Sequence, residues 1–538
     1  MKKKIIKSLS FVLIGMMLFG YVQEVFTPDW HIEGASPDYM ISGLEALPDN
    51  TIDIIFLGSS AIYNGVSPMH IYENTGICSY NLSLASQTIE LEYYNLKQVF
   101  NHQNPTIVFF NVNDLFSANA GATPWRYMAD NLPLSIYKIE LANVFNKLYP
   151  KEQGASILFP FIKYHSRWDE LTVDDFIDKK SKGIYYSAGQ LVEGRVQATT
   201  LQLEIKDWVV DEMKKLNNVG TIAYYDNSQF VEIDLKQAGP SLSTISEKNI
   251  NWLKEIKNLC DDHNVTLVLL KVPGRTWPQN DMRSWNRDLY FETKKIATEL
   301  NIDYLDLEYE ADLIDFTTDT IDSGRHLNVR GADKVTAYIE DYIINNFEIQ
   351  NNRNAQYDEM LKKYQKVHEI AILQSETNMN EYFRLLNENK DKWSIMLSAK
   401  SEYAAYIEHY GAEHYRELGL NLLQEGEGGD AYLAFIDNGK VVYEAVSNRD
   451  ISYTNFISEN IPIILYSAGY LNTSNSFIKI NGIEYSAQKN GLNIVVFDKE
   501  SGLIIDSSYC NTQQANQRVS HIGAFTKLRN YEEAICFN

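Results

Sequence analysis

Ser60 and His326 are the side chains in this sequence whose types and settings point to chemistry. Ser60 ends the string IIFLGSS, where an apolar run over residues 52–57 gives way to Gly58, Ser59 and Ser60. A serine at the C-terminal end of a buried strand sits where α/β sheets present reactive groups, and Gly58 lets the backbone turn tightly there. His326 stands in IDSGRHLNVRGADK, just ahead of an amphipathic stretch. A serine alcohol is a poor nucleophile until a base takes its proton; imidazole is the usual base, and a carboxylate then orients the ring. Asp322, four positions before the histidine, is the candidate acid, with Asp319 as the alternative. Taken singly, GSS is an ordinary serine-rich turn and the histidine a capping or core residue.

Two further segments weigh against the ordinary reading. SYNLSLASQ and IVFFNVND each carry small polar residues directly after an apolar run. At such strand ends the backbone around Ser83 and the side chain of Asn113 are candidate donors to an oxyanion, although Asn and Asp after a strand usually make turns.

These residues need a scaffold, and the chain supplies its pattern. From about residue 51 to 347, short apolar runs alternate with amphipathic segments, which predicts a parallel sheet with crossover helices. The expected strands are 52–57, 79–82, 106–112, 265–271 and 302–307; the expected helices are 89–100, 247–260, 289–300 and 331–345. The alternation breaks over residues 117–240, an insertion containing YHSRWDELTVDDF, KKSKGIYYSAGQ and DWVVDEMKKLNN, expected to cap the site. Within it His165, Arg167 and Trp168 are candidate substrate contacts, since Arg suits carboxylate or phosphate and Trp stacks on sugar rings; a cap-packing tryptophan is the plainer reading.

A polar stretch at 349–358 marks a linker between an α/β domain over 35–348 and a smaller α+β domain over 359–538, expected to fold alone. There helices are expected at 360–373 and 381–388. Asn438-Gly439 and Asn481-Gly482 each sit between two strand-like runs, and Asn-Gly is the strongest short hairpin signal.

The N-terminus, residues 1–28, sets Met1-Lys2-Lys3-Lys4 before an uncharged run from Ser8 to Val22. That order retains the basic end in the cytoplasm and exports the body. With no small-x-small cleavage site, an uncleaved membrane anchor is expected, with a cleaved signal as the competing reading. The net charge of −23 argues against a nucleic-acid partner and against electrostatic adhesion to anionic lipid. Four cysteines show no C-x-x-C spacing; Cys510 and Cys536 either bridge or stay as buried thiols. His409 and His414, five apart, fall on different helix faces, so no metal is expected. No phosphate-cradling loop or dinucleotide fingerprint calls for a cofactor.

The segments GSS, NLSLASQ, NVND and DSGRHLN together resemble the four blocks of the SGNH/GDSL hydrolase superfamily over roughly residues 50–345. The resemblance implies a flavodoxin-like three-layer fold, Ser60 as nucleophile, Ser83 and Asn113 at the oxyanion hole, His326 as base and Asp322 as acid. Ser59 stands where the pattern has Asp, Ser83 and Asn111 where it has Gly, and Asp322 lies one residue further from the histidine than the pattern sets it. The GSS start, the anchor and the HLN-x-x-G ending are most similar to exported proteins of cell-envelope modification. That implies an esterase or O-acyltransferase acting on a polysaccharide or teichoic-acid-like glycan beside a membrane-bound O-acyltransferase. The departures leave open a non-catalytic glycan-binding or assembly protein on the same fold. NGLNIVVFDKESGLIIDSSYCNT resembles the interleukin-like EMT-inducer domain, in permuted order, which implies a polysaccharide-holding role; a spacer is the alternative.

Overall fold

The computed structural model describes residues 2–28, 43–116, 121–130, 132, 134–177, 187–188, 190–192, 194–196, 203–205, 221–226, 229–234, 244–274, 282–308, 310, 312–351, 353–401, 403–404, 412–458, 460–472, 475–510, 518–521, 524 and 528. Five parallel strands form the central sheet: β1 (Ile54–Gly58), β2 (Ser79–Ser83) and β3 (Ile107–Asn111), then Thr266–Lys271 and Asp303–Asp306. Their spatial order is β2, β1, β3, Thr266–Lys271, Asp303–Asp306, so the chain runs outward both ways from β1. The first three strands are buried along their whole length, which is why β1 and β3 read as apolar runs, while β2 buries Ser79, Asn81 and Ser83 among its apolar residues.

Alternation along the strands splits the core in two. Ile54, Phe56, Ile107 and Phe109 meet Val335, Ile339 and Ile343 of the helix Val329–Asn346. Ile55, Leu57, Val108 and Phe110 belong to the opposite core, with Leu91 and Leu96 of the helix Ile89–Val99 and Leu253 and Ile256 of Glu247–Asp262. Helices on both faces make the α/β, three-layer arrangement expected from the pattern. Side-chain caps fix where they begin: Ser246 accepts from the Asn249 N–H, and Asn328 from those of Arg330 and Gly331.

The insertion begins with the helices Thr123–Ala129 and Ile136–Leu148 and continues through short helical turns to Ile177. Its strands Leu203–Ile205, Thr221–Asp226 and Gln229–Asp234 pair antiparallel. The stretches KKSKGIYY and DWVVDEMKKLNN lie outside the described residues.

Beyond residue 354 a six-stranded antiparallel sheet, centred on Trp393–Lys400 and Gly491–Asp498, carries the helices Ala355–Ser375 and Met379–Asn389 on one face. A four-stranded sheet covers the other, with Ile463, Leu465 and Ile478 against Met396, Leu433 and Val495. Both Asn-Gly pairs turn hairpins, with φ of 49° and 71° at Asn438-Gly439 and 52° and 80° at Asn481-Gly482. Asn354, in the stretch read as a linker, accepts from the Tyr357 N–H and starts the first helix. That helix is buried against the α/β sheet as well as its own: the Tyr357 hydroxyl donates to the Ser79 carbonyl at 2.9 Å, and the Tyr364 and Ser67 hydroxyls meet at 2.8 Å. Cys510 is buried, and Cys536 lies outside the described residues.

Candidate active site

β1 ends at Gly58, Ser59 caps the next helix with extended backbone, and Ser60 is the first residue of that helix, Ser60–Gly65. The turn is tight because Gly58 has no side chain: a Cβ there would lie 2.6 Å from both the Asn111 Cβ and the Ile62 Cγ1. His326 comes from the other end of the α/β region and arrives on a two-residue ladder, His326–Leu327 against Thr320–Ile321. Its Nε2 lies 2.9 Å from the Ser60 Oγ, and its Nδ1 lies 2.9 Å from Asp322 Oδ2. A neutral imidazole donating from Nδ1 and accepting at Nε2 satisfies both contacts.

The spacing between Asp322 and His326 is absorbed by the turn joining the two short strands. Asp322 takes a left-handed φ of 53° and Gly324 one of 90°, which folds the carboxylate back beneath the ring. The hydrogen bond from His326 holds the Asp322 carboxyl below the usual carboxylate range. His326 is 16% exposed and Asp322 43%, so the pair opens to solvent on the carboxylate side. Asp319 is fully buried and committed elsewhere: it accepts from Lys334 at 2.5 Å, from the Asp315 N–H at 2.7 Å and from the Thr318 hydroxyl at 3.0 Å. It braces the start of the helix Val329–Asn346.

Ser83 pairs with Gly58 in the parallel ladder, which sets it level with the end of β1. Asn113 lies in the turn Val112–Phe116 that follows β3, and its Oδ1 is buried without a hydrogen-bond partner, as is the Ser83 Oγ. Both stand at the ends of the strands that flank β1.

Four features of the site escaped the sequence reading. Asn111 donates to Asp114 at 2.8 Å and reaches the Ser59 Oγ at 3.4 Å, tying the turn before Ser60 to β3. Asp114 faces Glu92, and both are buried: burial pushes Asp114 up to about 6 and Glu92 well above its ordinary value, the Asp114 charge adding to the rise at Glu92. Glu92 lies inside the amphipathic helix pattern, where an acid reads as solvated, and nothing in the sequence marks it as buried. Tyr63, also buried, has its phenol pushed up by desolvation while interacting with Ser60. The fourth feature is a buried ion pair: Lys271 donates to Glu308 at 2.9 Å, and Glu308 also accepts from the Gly274 N–H at 2.9 Å. This fixes a loop whose Val272 packs on Gly65 and whose Gly274 passes the Arg325 carbonyl, beside His326.

His165, Arg167 and Trp168 are brought together with the N-terminal helix. Arg167 donates to the Phe26 carbonyl at 2.9 Å and pairs with Glu170 and Asp175; His165 contacts the Ile162 carbonyl; Trp168 is 72% exposed. Among the described residues, no group of three His, Cys, Asp or Glu side chains is arranged to hold a metal ion.

No family model matches the chain, and no curated protein does. Among solved structures, a GDSL-like lipase from Bacteroides thetaiotaomicron aligns at 9% identity over 59% of this chain and 100% of its own, with a TM-score of 0.28. A lipase/acylhydrolase from Enterococcus faecalis aligns at 9% identity over 56% of this chain and 98% of its own, with a TM-score of 0.26. The functional reading rests on the geometry of the chain itself.

Proposed function

We propose that the chain is a serine acyl-transfer enzyme that opens an ester through an acyl-serine, acting outside the cell on an O-acylated polysaccharide or teichoic-acid-like glycan. The observation that carries the chemistry is the unbroken line from Asp322 through His326 to Ser60, each step 2.9 Å. As the Ser60 oxygen attacks the ester carbonyl, its proton moves to His326 Nε2, and Asp322 stabilises the imidazolium. The negative charge on the carbonyl oxygen is met by backbone N–H groups near Ser60 and Ser83 and by the Asn113 amide. Collapse breaks the C–O bond to the alcohol, which takes the proton back from Nε2. Water or a glycan hydroxyl then repeats the sequence on the acyl-serine. No step needs a cofactor.

The extracytoplasmic, glycan-directed part of the reading is supported by the N-terminal helix and by the sequence resemblance, which also suggests a membrane-bound O-acyltransferase as partner. For the C-terminal unit, a cavity of about 350 Å³ lined by Glu427, Asp430, Asn448, Arg449 and the exposed ring of Tyr470 supports a polymer-holding role. The test is labelling of the full chain with a fluorophosphonate probe, followed by turnover of a chromogenic acetyl ester. Labelling at Ser60 that vanishes in Ser60→Ala supports the enzyme; inertness in both assays, with the fold intact, leaves a glycan-binding protein on this scaffold.

A further inference from the structure

The N-terminal helix α1 (Lys2–Phe26) contains one apolar stretch, Lys7–Phe26, of 20 residues. At 1.5 Å per residue that is about 30 Å, the thickness of a bilayer's hydrocarbon core. Only 6% of the stretch is covered by the rest of the chain. Its last turns are the exception. The Tyr21 hydroxyl donates to the Phe176 carbonyl at 3.1 Å, the Phe161 N–H donates to Gln23 Oε1 at 2.6 Å, and the Phe26 ring meets Phe161 edge-on at 5.0 Å. Arg167 donates to the carbonyl of Phe26, one of the orphan acceptors at the helix end, where a cation is also favoured by the helix dipole. Tyr164 roots the same segment in the core by donating to the buried Asp130 carboxylate at 2.5 Å.

The short turns Phe161–Tyr164, His165–Asp169 and Asp174–Ile177 thus grip the outer end of α1. They also turn large apolar side chains outward: Ile162 is 41% exposed, Trp168 72%, Val173 69% and Phe176 50%. Four such side chains within one short segment are not the scatter of single apolar residues found on any surface. Their level is set by the end of the apolar stretch, the depth at which tryptophan and other amphipathic rings concentrate in membrane proteins.

We propose that the segment 161–177 is a lipid-docking collar, which sinks Ile162, Trp168, Val173 and Phe176 into the acyl–headgroup boundary and so fixes the height of the catalytic domain over the membrane. The proposal rests on reading α1 as a retained anchor. The occupant is lipid because the bare part of α1 runs directly into the patch, so a bilayer around the one reaches the other. Attachment is by apolar insertion, which suits a chain of net charge −23.

The test uses the full chain in phosphatidylcholine vesicles, with an environment-sensitive fluorophore attached to Val173→Cys, Phe176→Cys or, within α1, Met17→Cys. The unsubstituted chain is labelled in parallel to subtract its own cysteines. Replacing the lipid by its chain-brominated form is expected to quench the labels at 173 and 176 about twofold, as at 17, because the collar lies only about 5–10 Å into the boundary. Quenching at 17 with none at 173 and 176 overturns the collar and leaves the anchor standing; the patch then belongs to water or to a protein partner. No quenching at 17 overturns both.

Discussion

The Asn111 amide donates to the Asp114 carboxylate across 2.8 Å and reaches the Ser59 hydroxyl at 3.4 Å, so β3 holds the backbone immediately ahead of Ser60. Both Ser59 and Asn111 depart from the residues of the block pattern they resemble, and the structure sets them against one another. Ser59 is short enough for the longer Asn111 to reach, and Gly58 leaves room for the Asn111 Cβ. The nucleophile turn is thus held by a polar clamp drawn from an adjacent strand.

Because the serine, imidazole and carboxylate act as one unit, Ser60→Ala and His326→Ala are each expected to lower kcat by about 10⁴-fold or more, and the double variant to fall little further. Asp322→Asn costs less, on the order of 10²–10⁴-fold. Asp319→Asn separates geometry from sequence proximity: it should leave the slope of the pH–rate profile intact while lowering the melting temperature, because it weakens the hydrogen bonds that the buried Asp319 carboxylate accepts from Lys334, Thr318 and the Asp315 N–H. Ester turnover and thermal melts on the four single variants and the double decide this. Full activity in His326→Ala is incompatible with the mechanism.

Asn113→Ala removes a side-chain donor from the strand end beside Ser60. If that amide meets the oxyanion, kcat should drop about 10²–10³-fold with KM and melting temperature nearly unchanged, since Asn113 makes no structural hydrogen bond through its Oδ1. A change in KM alone would make it a ground-state contact instead.

How far these residues could be read in advance depends on what their neighbours reveal. Of the five parallel strands, Ile54–Gly58, Ile107–Asn111 and Thr266–Lys271 were legible because burial on both faces writes them as apolar runs, and the two Asn-Gly turns because only a few residues accept their backbone. Asp322 stayed one of two candidates: its reach to His326 depends on a left-handed φ that spacing alone does not disclose. The strands Ile451–Ile457 and Trp393–Lys400 went unmarked, the first for its polar outer face and the second because it follows a helix with little punctuation. Arg167 and Trp168 show a different limit. Their types fit sugar or membrane equally well, and only the fold reveals that Arg167 meets the end of α1 while Trp168 stays exposed.

The buried acids Glu92 and Asp114 make a signed prediction. Burial raises the folded-state value of Asp114 from an ordinary 3.8 to about 6. Between those values the folded chain binds more protons than the unfolded one, so this group's contribution to stability falls as pH rises through the window and stays low above it. Glu92, raised further by burial and by Asp114, extends the fall upward in pH. Glu92→Gln keeps an N–H facing Asp114 and deletes one of the two titrations. The loss of melting temperature as pH rises through about 6 and above should therefore shrink in Glu92→Gln, by roughly 2 °C for each kcal/mol relieved. An equal loss in both proteins would show that Glu92 does not contribute to the fall.

The helix Ala355–Ser375 makes the catalytic and C-terminal units mechanically one. Tyr357, Met360, Tyr364, Val367 and Ile370 are buried in a core that also contains Tyr72 and Tyr80 of the α/β unit and Ile395 and Ile494 of the six-stranded sheet. Polar contacts cross the same seam: Tyr72 donates to Asp358 at 2.8 Å, His368 meets Asp333 at 2.8 Å, and Arg330 pairs with Glu376. Removing the helix would strip apolar surface from beside β2, at roughly 25 cal/mol for each Å² returned to water, and would leave the buried Ser67 hydroxyl without Tyr364. The full chain should then unfold these two units in a single transition. A chain ended after residue 350 should lose ester turnover and expose apolar surface to a hydrophobic dye. The lighter substitution Tyr364→Phe keeps the ring and deletes one hydrogen bond, so it should cost about 1 kcal/mol and lower the melting of both units together. Two separate transitions in the full chain, or a truncated chain of unchanged activity and melting temperature, would show that the helix merely rests on the α/β unit.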